Sequence, residues 1–391
     1  MSFDVLFDRT PLAILSSRFR GIGSYVRNLL AALQQLRDAE RRGLAIGVLA
    51  GFDGPDAVVP LGSAALPAPD APAMSERRWA WQRRTALVRL LWRQRPGLVH
   101  LTEPLGTPRG SPAPRIMTCY DLLELVMHRQ YLPSPLRRAL AWSAAYARFA
   151  SARRVLSISQ ATADDLMRIV GVPASRIDVV PLAADASRFR LPADGAEAAR
   201  ASESRARLGL GRAPYLVYVG APDPRKNIDT LCSAFARAAV PELELVLVGR
   251  YGAGEQRFVD RCLDAVGRPA AIRLLGFVPD AEIPAVYQGA SALCFATSYE
   301  GFGLPVLEAM LCGCPVIASR HTSLAEIAGD AALYVPPRDE PALCDAIRRI
   351  AREPTLGAEL RAGGLAQAAR FSWRSTALGT VESYARALSG R

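Results

Sequence analysis

The sequence predicts an α/β protein made of two doubly wound parallel sheets, and three observations carry that prediction. Short apolar runs alternate with longer stretches of helical periodicity from residue 3 to residue 388. A chain of 391 residues that is 50% hydrophobic is large for one core and suits two. Midway, Pro192–Ser204 is rich in Ala, Glu and Arg and has no strand pattern, so the alternation breaks there. The expected division is residues 1–193, a linker over 194–212, residues 213–370, and a terminal helix over 371–391.

The elements follow in order. Phe3–Asp8 reads as a strand, and Arg9–Ile22 as a loop ending Gly21-Ile22-Gly23. Ser24–Leu36 is helical, with Val26, Leu29, Leu30 and Leu33 on one face. A strand, a glycine turn and a helix start make a place compatible with an anion. Ala45–Ala50 is a strand, and Gly51–Pro72 is a Pro-, Gly-, Ala- and Asp-rich mobile loop. Ser75–Arg95 is a helix, Leu98–Leu101 and Arg115–Thr118 are strands, and Ser134–Ala150 is an Arg-studded helix. Strand Val155–Ser159, helix Ala161–Val170 and strand Arg176–Pro181 finish the first half. The second half opens with strand Tyr215–Gly220 and helix Asn227–Ala238. Strand Leu243–Val248, helix Glu255–Val266, strand Ala271–Gly276 and helix Asp280–Gly289 continue it. Asp339–Arg352, Pro354–Ala369 and the stretch from Phe371 are late helices.

The most informative stretch is 294–318. Ala292–Ala296 is a buried strand, Thr297–Gly303 a turn with two glycines, and Val306–Cys312 a short helix with Pro305 at its start. Gly313 closes the helix, and Pro315–Ser319 is a returning strand. The N–H groups of Phe302, Gly303 and Leu304 point from the helix start, where phosphate binds well, and Gly301 and Gly303 admit a close ligand. Glu300 in the loop and Glu308, expected in the first turn, suit adjacent sugar or ribose hydroxyls. Phosphate donors beside hydroxyl acceptors suggest a nucleotide sugar. The plain alternative is an ordinary strand–helix turn with Glu308 as a favourable acid.

A second segment, Tyr218 to Asn227, ends a strand at Gly220 and places Arg225 and Lys226 where a helix begins. Cations there oppose the helix dipole, which makes sense if an anion sits between them. Otherwise they are a solvated pair. Gly276-Phe277-Val278-Pro279-Asp280 and Gly249-Arg250 end strands at the same sheet edge, where open α/β sheets bind ligands.

The spacing of Glu300 and Glu308 around Gly-Phe-Gly-Leu-Pro, with Pro224-Arg225-Lys226-Asn227, closely resembles the family 4 glycosyltransferases. The likeness runs nearly end to end and is strongest from Tyr215 to Val335. It implies the GT-B fold: two Rossmann-like domains facing a central cleft, with the terminal helix crossing back to the first. It implies a retaining hexosyltransferase that needs no metal or other cofactor. Glu300, Arg225 and Lys226 would be catalytic. The donor would be held by Gly220, Arg225, Lys226, Arg250, Val278, Glu300, Gly301, Phe302, Gly303, Leu304 and Glu308, with the Val278 backbone at the base. Gly21, Gly23, Tyr120 and Asp121 would lie on the acceptor or sugar side. Thr118-Cys119-Tyr120-Asp121-Leu122 departs from the family pattern, because Tyr120 stands where a His is usual; a phenol hydrogen-bonds but is no base near neutral pH. The overall look is nearest bacterial mannosyltransferases. The expected reaction is therefore transfer from GDP-mannose to a glycan or lipid-linked saccharide for a cell-surface polysaccharide such as lipopolysaccharide. A UDP- or dTDP-sugar donor, a GT-B epimerase, a basic nucleic-acid binder and a non-catalytic scaffold are the alternatives. No RNA or DNA motif supports a nucleic-acid partner.

Composition adds bounds. Residues 1–200 hold 27 Arg against 17 Asp and Glu, whereas 201–391 hold 21 Arg and Lys against 20 acids, so the basic surplus belongs to the first half. No apolar run spans a bilayer, the N-terminus lacks a signal-peptide pattern, and seven cysteines without zinc spacing read as reduced thiols. A cytoplasmic protein is expected. In Ser75–Arg95, Trp79, Leu87, Val88, Leu90 and Leu91 gather on one side. Arg77, Arg78, Arg84, Arg89, Arg93 and Arg95 lie mostly elsewhere, with Trp81 and Trp92 at the borders. This is either a core-facing helix with solvated arginines or an interfacial helix on an anionic membrane. The charge asymmetry favours the second, giving a peripherally membrane-associated enzyme.

Overall fold

The computed structural model describes residues 3–14, 21–52, 57–63, 75–103, 107–108, 110–211 and 213–390. It divides into two units, Met1–Leu182 with Trp373–Arg391, and Ala183–Ser372.

The first unit is built on seven strands: β1 (Val5–Asp8), β2 (Ile46–Leu49), β3 (Val58–Pro60), β4 (Leu98–Leu101), β5 (Arg115–Cys119), β6 (Arg154–Ser157) and β7 (Ile177–Val179). Their order is β3-β2-β1-β4-β5-β6-β7. Val5 pairs with Ile46 on one side and Leu98 on the other. β1, β2 and β4 are buried along their whole length, as expected of parallel strands covered on both faces by helices. Among the described residues the one antiparallel strand is β3, within the segment expected to be loop. It is short, sits at the edge and ends in Pro60, where a missing N–H costs no ladder bond. Residues 53–56 and 64–72 of that expected loop lie outside the described residues, as do residues 15–20 of the first one.

Helix α1 (Gly21–Gln35) packs against the C-terminal helix, Trp373–Ser389. Helices α2 (Glu76–Gln94) and α3 (Pro135–Phe149) contribute to a single core with the sheet. Trp79, Leu87 and Leu91 of α2 and Ala145 and Phe149 of α3 cluster there with Val99, Met117 and Val155. The apolar side of α2 is therefore core, which corrects its reading as a membrane-facing stripe. Arg83 is also fully buried on that side. It is ion-paired with Asp8, donates to the Glu103 carbonyl at 2.6 Å and lies 4.5 Å over the Trp79 ring. Helix α4 (Gln160–Asp165) runs into a π-helical turn at Leu166–Val170.

The second unit begins earlier than expected. Residues 194–212, expected to be linker, hold helix α5 (Gly195–Arg207), capped by Asp194, whose side chain accepts from the Glu197 N–H at 2.8 Å. The unit's six strands are β8 (Tyr215–Val219), β9 (Glu244–Val248), β10 (Ile272–Gly276), β11 (Ala292–Phe295), β12 (Val316–Ser319) and β13 (Leu333–Val335). All are parallel, in the order β10-β9-β8-β11-β12-β13. Helices α6 (Ile228–Ala238), α7 (Ala253–Ala265), α8 (Ile283–Gly289), α9 (Leu304–Leu311) and α10 (Leu324–Ala328) connect successive strands. α5 packs on α8, and Ser204 donates to Glu282 at 3.0 Å. Helices α11 (Glu340–Arg352) and α12 (Pro354–Ala368) precede the terminal helix α13 (Trp373–Ser389).

Candidate functional site

The second sheet builds outward from β8 to β10 and then restarts on the other flank of β8 with β11. Between β8 and β11 the connections diverge, and at such a switch point the strands' carboxyl ends leave a crevice. β8, β9 and β10 each end at a glycine. Gly220 N–H donates to the Val248 carbonyl and Gly249 N–H to that of Gly276, both at 2.9 Å. A Cβ on Gly249 would lie 2.2 Å from the Gly220 oxygen, so only glycine permits this approach.

The loop after β8 carries the cations. Asp223 caps a 3₁₀ turn, Pro224–Lys226, by accepting from the Arg225 N–H at 3.0 Å. Arg225 and Lys226 thus lie in a turn before α6 rather than at its start, and they are not a solvated pair. Lys226 Nζ sits 2.5 Å from Glu300 Oε1 and 4.4 Å from the Phe295 ring centroid. Arg225 reaches the same Glu300 oxygen at 2.8 Å and the Tyr299 carbonyl at 2.7 Å. Asn227, at φ 52°, lets the chain turn into α6. Its amide donates to the Ala296 carbonyl at 2.8 Å and to Ser298 Oγ at 2.9 Å, which ties this loop to the one after β11.

Glu300 is 8% exposed. Burial alone would raise its carboxyl, but the charges of Lys226 and Arg225 outweigh this and hold it below the usual carboxylate range. Burial pulls the Lys226 ammonium down despite Glu300. The Glu300 N–H donates to Thr322 Oγ1 at 3.1 Å, and Ser323 Oγ meets the Glu300 and Phe302 carbonyls at 2.9 and 2.8 Å. Thr322 itself has φ 53°. Thr322, Ser323, Asn227 and Ser298 are supports that sequence reasoning missed. Asn227 stood in the Pro224–Asn227 motif without a role of its own, and the signal for Thr322 and Ser323 was a polar run after β12, Ser319 to Ser323, which is common in loops.

Gly303, at φ 108°, begins α9. A Cβ there would meet Leu324 Cδ2 at 2.5 Å. Among the described residues no acceptor meets the N–H groups of Phe302, Gly303 or Leu304, as the opening of a helix requires. Phe302 is buried edge-on against Phe371. Glu308 lies beyond the first turn of α9, so the helix dipole does not explain it. It is partly buried and accepts from Tyr287 Oη at 3.4 Å. Burial pushes its carboxyl up to about 7, although Arg188 and the Tyr287 hydrogen bond pull the other way. Tyr287 and Arg188 also escaped the sequence reading. At the far strands, Val278 is buried, and the exposed Arg250 guanidinium stacks 4.4 Å over the exposed Phe277 ring.

In the first unit, Gly21 and Gly23 lie in the first turn of α1. Tyr120 donates its hydroxyl to the Thr102 carbonyl at 2.6 Å and meets the Tyr25 ring edge to face. Burial raises its phenol well above the usual range. Asp121 accepts from the Leu123 N–H at 3.1 Å. His100 is buried between Tyr384 Oη, 2.7 Å away, and Thr118 Oγ1, 2.8 Å away. Burial lowers it to about 3, so it stays neutral. All seven cysteines are buried thiols. Among the described residues no helix is long and apolar enough to cross a membrane, and no three His, Cys, Asp or Glu side chains group as metal ligands.

Comparison with known proteins matches this arrangement. Residues 201–365 match the family described as Glycosyl transferases group 1, and residues 19–188 match Glycosyltransferase Family 4. The O-antigen chain mannosyltransferase B of Escherichia coli is 34% identical over 60% of this chain and 61% of its own length. The serotype-specific mannosyltransferase WbdA of Escherichia coli is 27% identical over 71% of this chain and 34% of its own length. The chain thus spans less than two thirds of these relatives. Sucrose-phosphate synthase of Thermosynechococcus elongatus has the same fold, with a TM-score of 0.73, 22% identity and 99% of both chains covered. Two parallel-sheet units, each matched to its own half of one enzyme family, place the chain among the family 4 glycosyltransferases of GT-B fold.

Proposed function

We propose that this protein is a retaining hexosyltransferase that moves mannose from GDP-mannose to a saccharide or lipid-linked saccharide acceptor in cell-surface polysaccharide synthesis, on the cytoplasmic side. One observation carries the reading: Glu300, Arg225 and Lys226 converge beside the α9 start at the switch point of the second sheet. The relatives described as mannosyltransferases support the choice of sugar.

The roles follow from charge and geometry. Arg225, Lys226 and the N–H groups of Phe302, Gly303 and Leu304 bind the donor diphosphate and stabilise the charge that grows as it leaves. Two protein cations do this work, so no metal is required. Glu300, fixed through its own N–H and carbonyl, orients the sugar, and Glu308 accepts from the ribose hydroxyls. Gly220, Gly301, Arg250 and Val278 line the rest of the donor site. The bond from sugar carbon to diphosphate oxygen breaks through an oxocarbenium-like state. The acceptor oxygen bonds to that carbon on the same face, and its proton passes to the departing diphosphate. Gly21, Gly23, Tyr120 and Asp121 belong to the acceptor side, where Tyr120 acts as a hydrogen-bonding group and not as a base.

A thermal-shift and calorimetry panel of GDP-mannose, UDP-glucose, ADP-glucose and dTDP-rhamnose tests this, because a ligand bound by the folded state raises its melting temperature. Stabilisation by GDP-mannose alone is expected. Stabilisation by another sugar nucleotide instead would overturn the donor, and stabilisation by none would overturn the transferase reading.

A further inference from the structure

The two cations assigned to the donor diphosphate both hold one and the same atom. Arg225 meets Glu300 Oε1 at 2.8 Å, and Lys226 Nζ meets it at 2.5 Å. A second acid, Asp223, lies 3.7 Å from the Arg225 guanidinium. Two cations are therefore matched by two carboxylates, and a diphosphate that takes the cations must take them from Glu300. The charges of Lys226 and Arg225 keep Glu300 below the usual carboxylate range, so it remains an anionic competitor at ordinary pH.

The cations have other anchors. Arg225 also donates to the Tyr299 carbonyl at 2.7 Å, and its own carbonyl accepts from the Ser298 N–H at 2.7 Å. The Lys226 ammonium lies 4.4 Å over the Phe295 ring centroid, an attraction that does not involve Glu300. Both cations can thus keep their places when the carboxylate turns away. The Glu300 backbone is fixed by Thr322 and Ser323, so such a turn uses side-chain torsions alone.

We propose that Glu300 competes with the diphosphate for Arg225 and Lys226, and that this competition makes the site prefer the sugar nucleotide to the nucleoside diphosphate left after transfer. The proposal rests on the transferase reading above and deepens it. The donor's sugar offers hydroxyls to Glu300 while its diphosphate takes the cations, so the carboxylate exchanges one set of donors for another. The spent diphosphate brings no sugar. Displacing Glu300 then leaves a buried carboxylate without partners, which costs more than the exchange. The discrimination matters because the freed terminal phosphate loses a second proton above about pH 6. The product is the more anionic of the two, and two uncontested cations would hold it more tightly than the donor. The return of Glu300 to Arg225 and Lys226 opposes that hold and favours release.

The test is calorimetry of inorganic pyrophosphate on the full-length wild type, Glu300→Gln, Glu300→Asp, Lys226→Ala and Glu300→Gln/Lys226→Ala, with thermal melts to confirm folding. Pyrophosphate carries neither base nor sugar, so it reads the competition whichever sugar nucleotide is the donor. Glu300→Gln should bind it at least about tenfold tighter than wild type, the size of one charge-assisted hydrogen bond. Glu300→Asp keeps the charge on a shorter stem and should fall between the two. The gain should persist in about 0.5 M KCl, where the fields of exposed charges are screened within roughly 4 Å. It should also shrink when measured on the Lys226→Ala background, as coupling between contacting groups requires. With the sugar nucleotide that stabilises the wild type, the preference for donor over its nucleoside diphosphate should drop at least about tenfold in Glu300→Gln. Pyrophosphate bound alike by wild type and both single Glu300 variants, or by none of them, overturns the proposal. So does a gain that salt abolishes or that is the same with and without Lys226. A panel in which no sugar nucleotide binds overturns the transferase reading while the pyrophosphate comparison still stands, so the two failures are distinguishable.

Discussion

Replacing Glu308 with Gln should stabilise the protein above neutral pH and weaken its hold on the donor, two effects of opposite sign from one side chain. Burial raises this carboxyl from the ordinary 4.5 to about 7 in the folded state. Below pH 4.5 both folded and unfolded chains hold the proton, and Glu308 costs nothing. As pH rises, the unfolded chain ionises first, so stability falls until the folded carboxyl ionises near 7. The full interval, at about 1.36 kcal/mol per pH unit, is about 3 kcal/mol. Glu308→Gln removes that slope, so its urea midpoint should exceed wild type at pH 8 and approach it at pH 5. Donor binding runs the other way. In the proposed donor site an ionised Glu308 would accept from the ribose, and losing a charged acceptor costs roughly 1.5–3 kcal/mol. Wild-type affinity for GDP-mannose should fall as pH drops below 7, up to about tenfold per pH unit, while the variant's stays flat and weak. Urea titrations at pH 5 and 8 with calorimetry at pH 6 and 8 read both. Equal pH slopes in the two proteins, or unchanged affinity in the variant, would refute the reasoning.

Arg225→Ala and Lys226→Ala should each reduce turnover by about 10²–10³ with modest loss of stability, and wild-type activity should persist in EDTA; inhibition reversed by Mg²⁺ would contradict the metal-free chemistry. Gly303→Ala places a Cβ on Leu324 at a φ that favours glycine and should cost on the order of 1–3 kcal/mol. Partial recovery in Gly303→Ala/Leu324→Ala is expected by thermal melting, and a wild-type melt for the single variant would show the loop adapts freely. Tyr120→Phe strips a hydrogen bond from the Thr102 carbonyl, about 1 kcal/mol of stability. Its turnover should stay within a few fold of wild type, and a hundredfold loss would give the phenol a part in the chemistry.

The strands were legible because burial on both faces leaves continuous apolar runs, such as Leu245–Val248. The turn at Gly303 was legible because few residues accept a φ of 108°. The edge strand Val58–Pro60 was hidden because three residues inside a Pro-, Gly-, Ala- and Asp-rich segment look like loop. Helix α5 was hidden because it buries only Ser204, too little for a periodic signal. Helix α2 shows a deeper limit: an apolar stripe fringed by arginines looks alike whether a sheet or a lipid covers it. Only the fold revealed that Arg83 points inward to Asp8, 75 residues earlier. The competition at Glu300 was equally invisible. Sequence placed two cations as if waiting for an anion, and the structure shows them already sharing one.

That sharing makes the site addressable by reagent chemistry. Lys226 is the only lysine in the sequence, so amine-selective acylation has one side-chain target besides the chain terminus. Its ammonium is clasped by Glu300 over the Phe295 ring, with 10% of the side chain exposed, and acylation must wait for the clasp to open. The rate of labelling therefore counts openings of the Lys226–Glu300 clasp directly, without an engineered probe. A diphosphate that closes over Lys226 should slow it in proportion to occupancy.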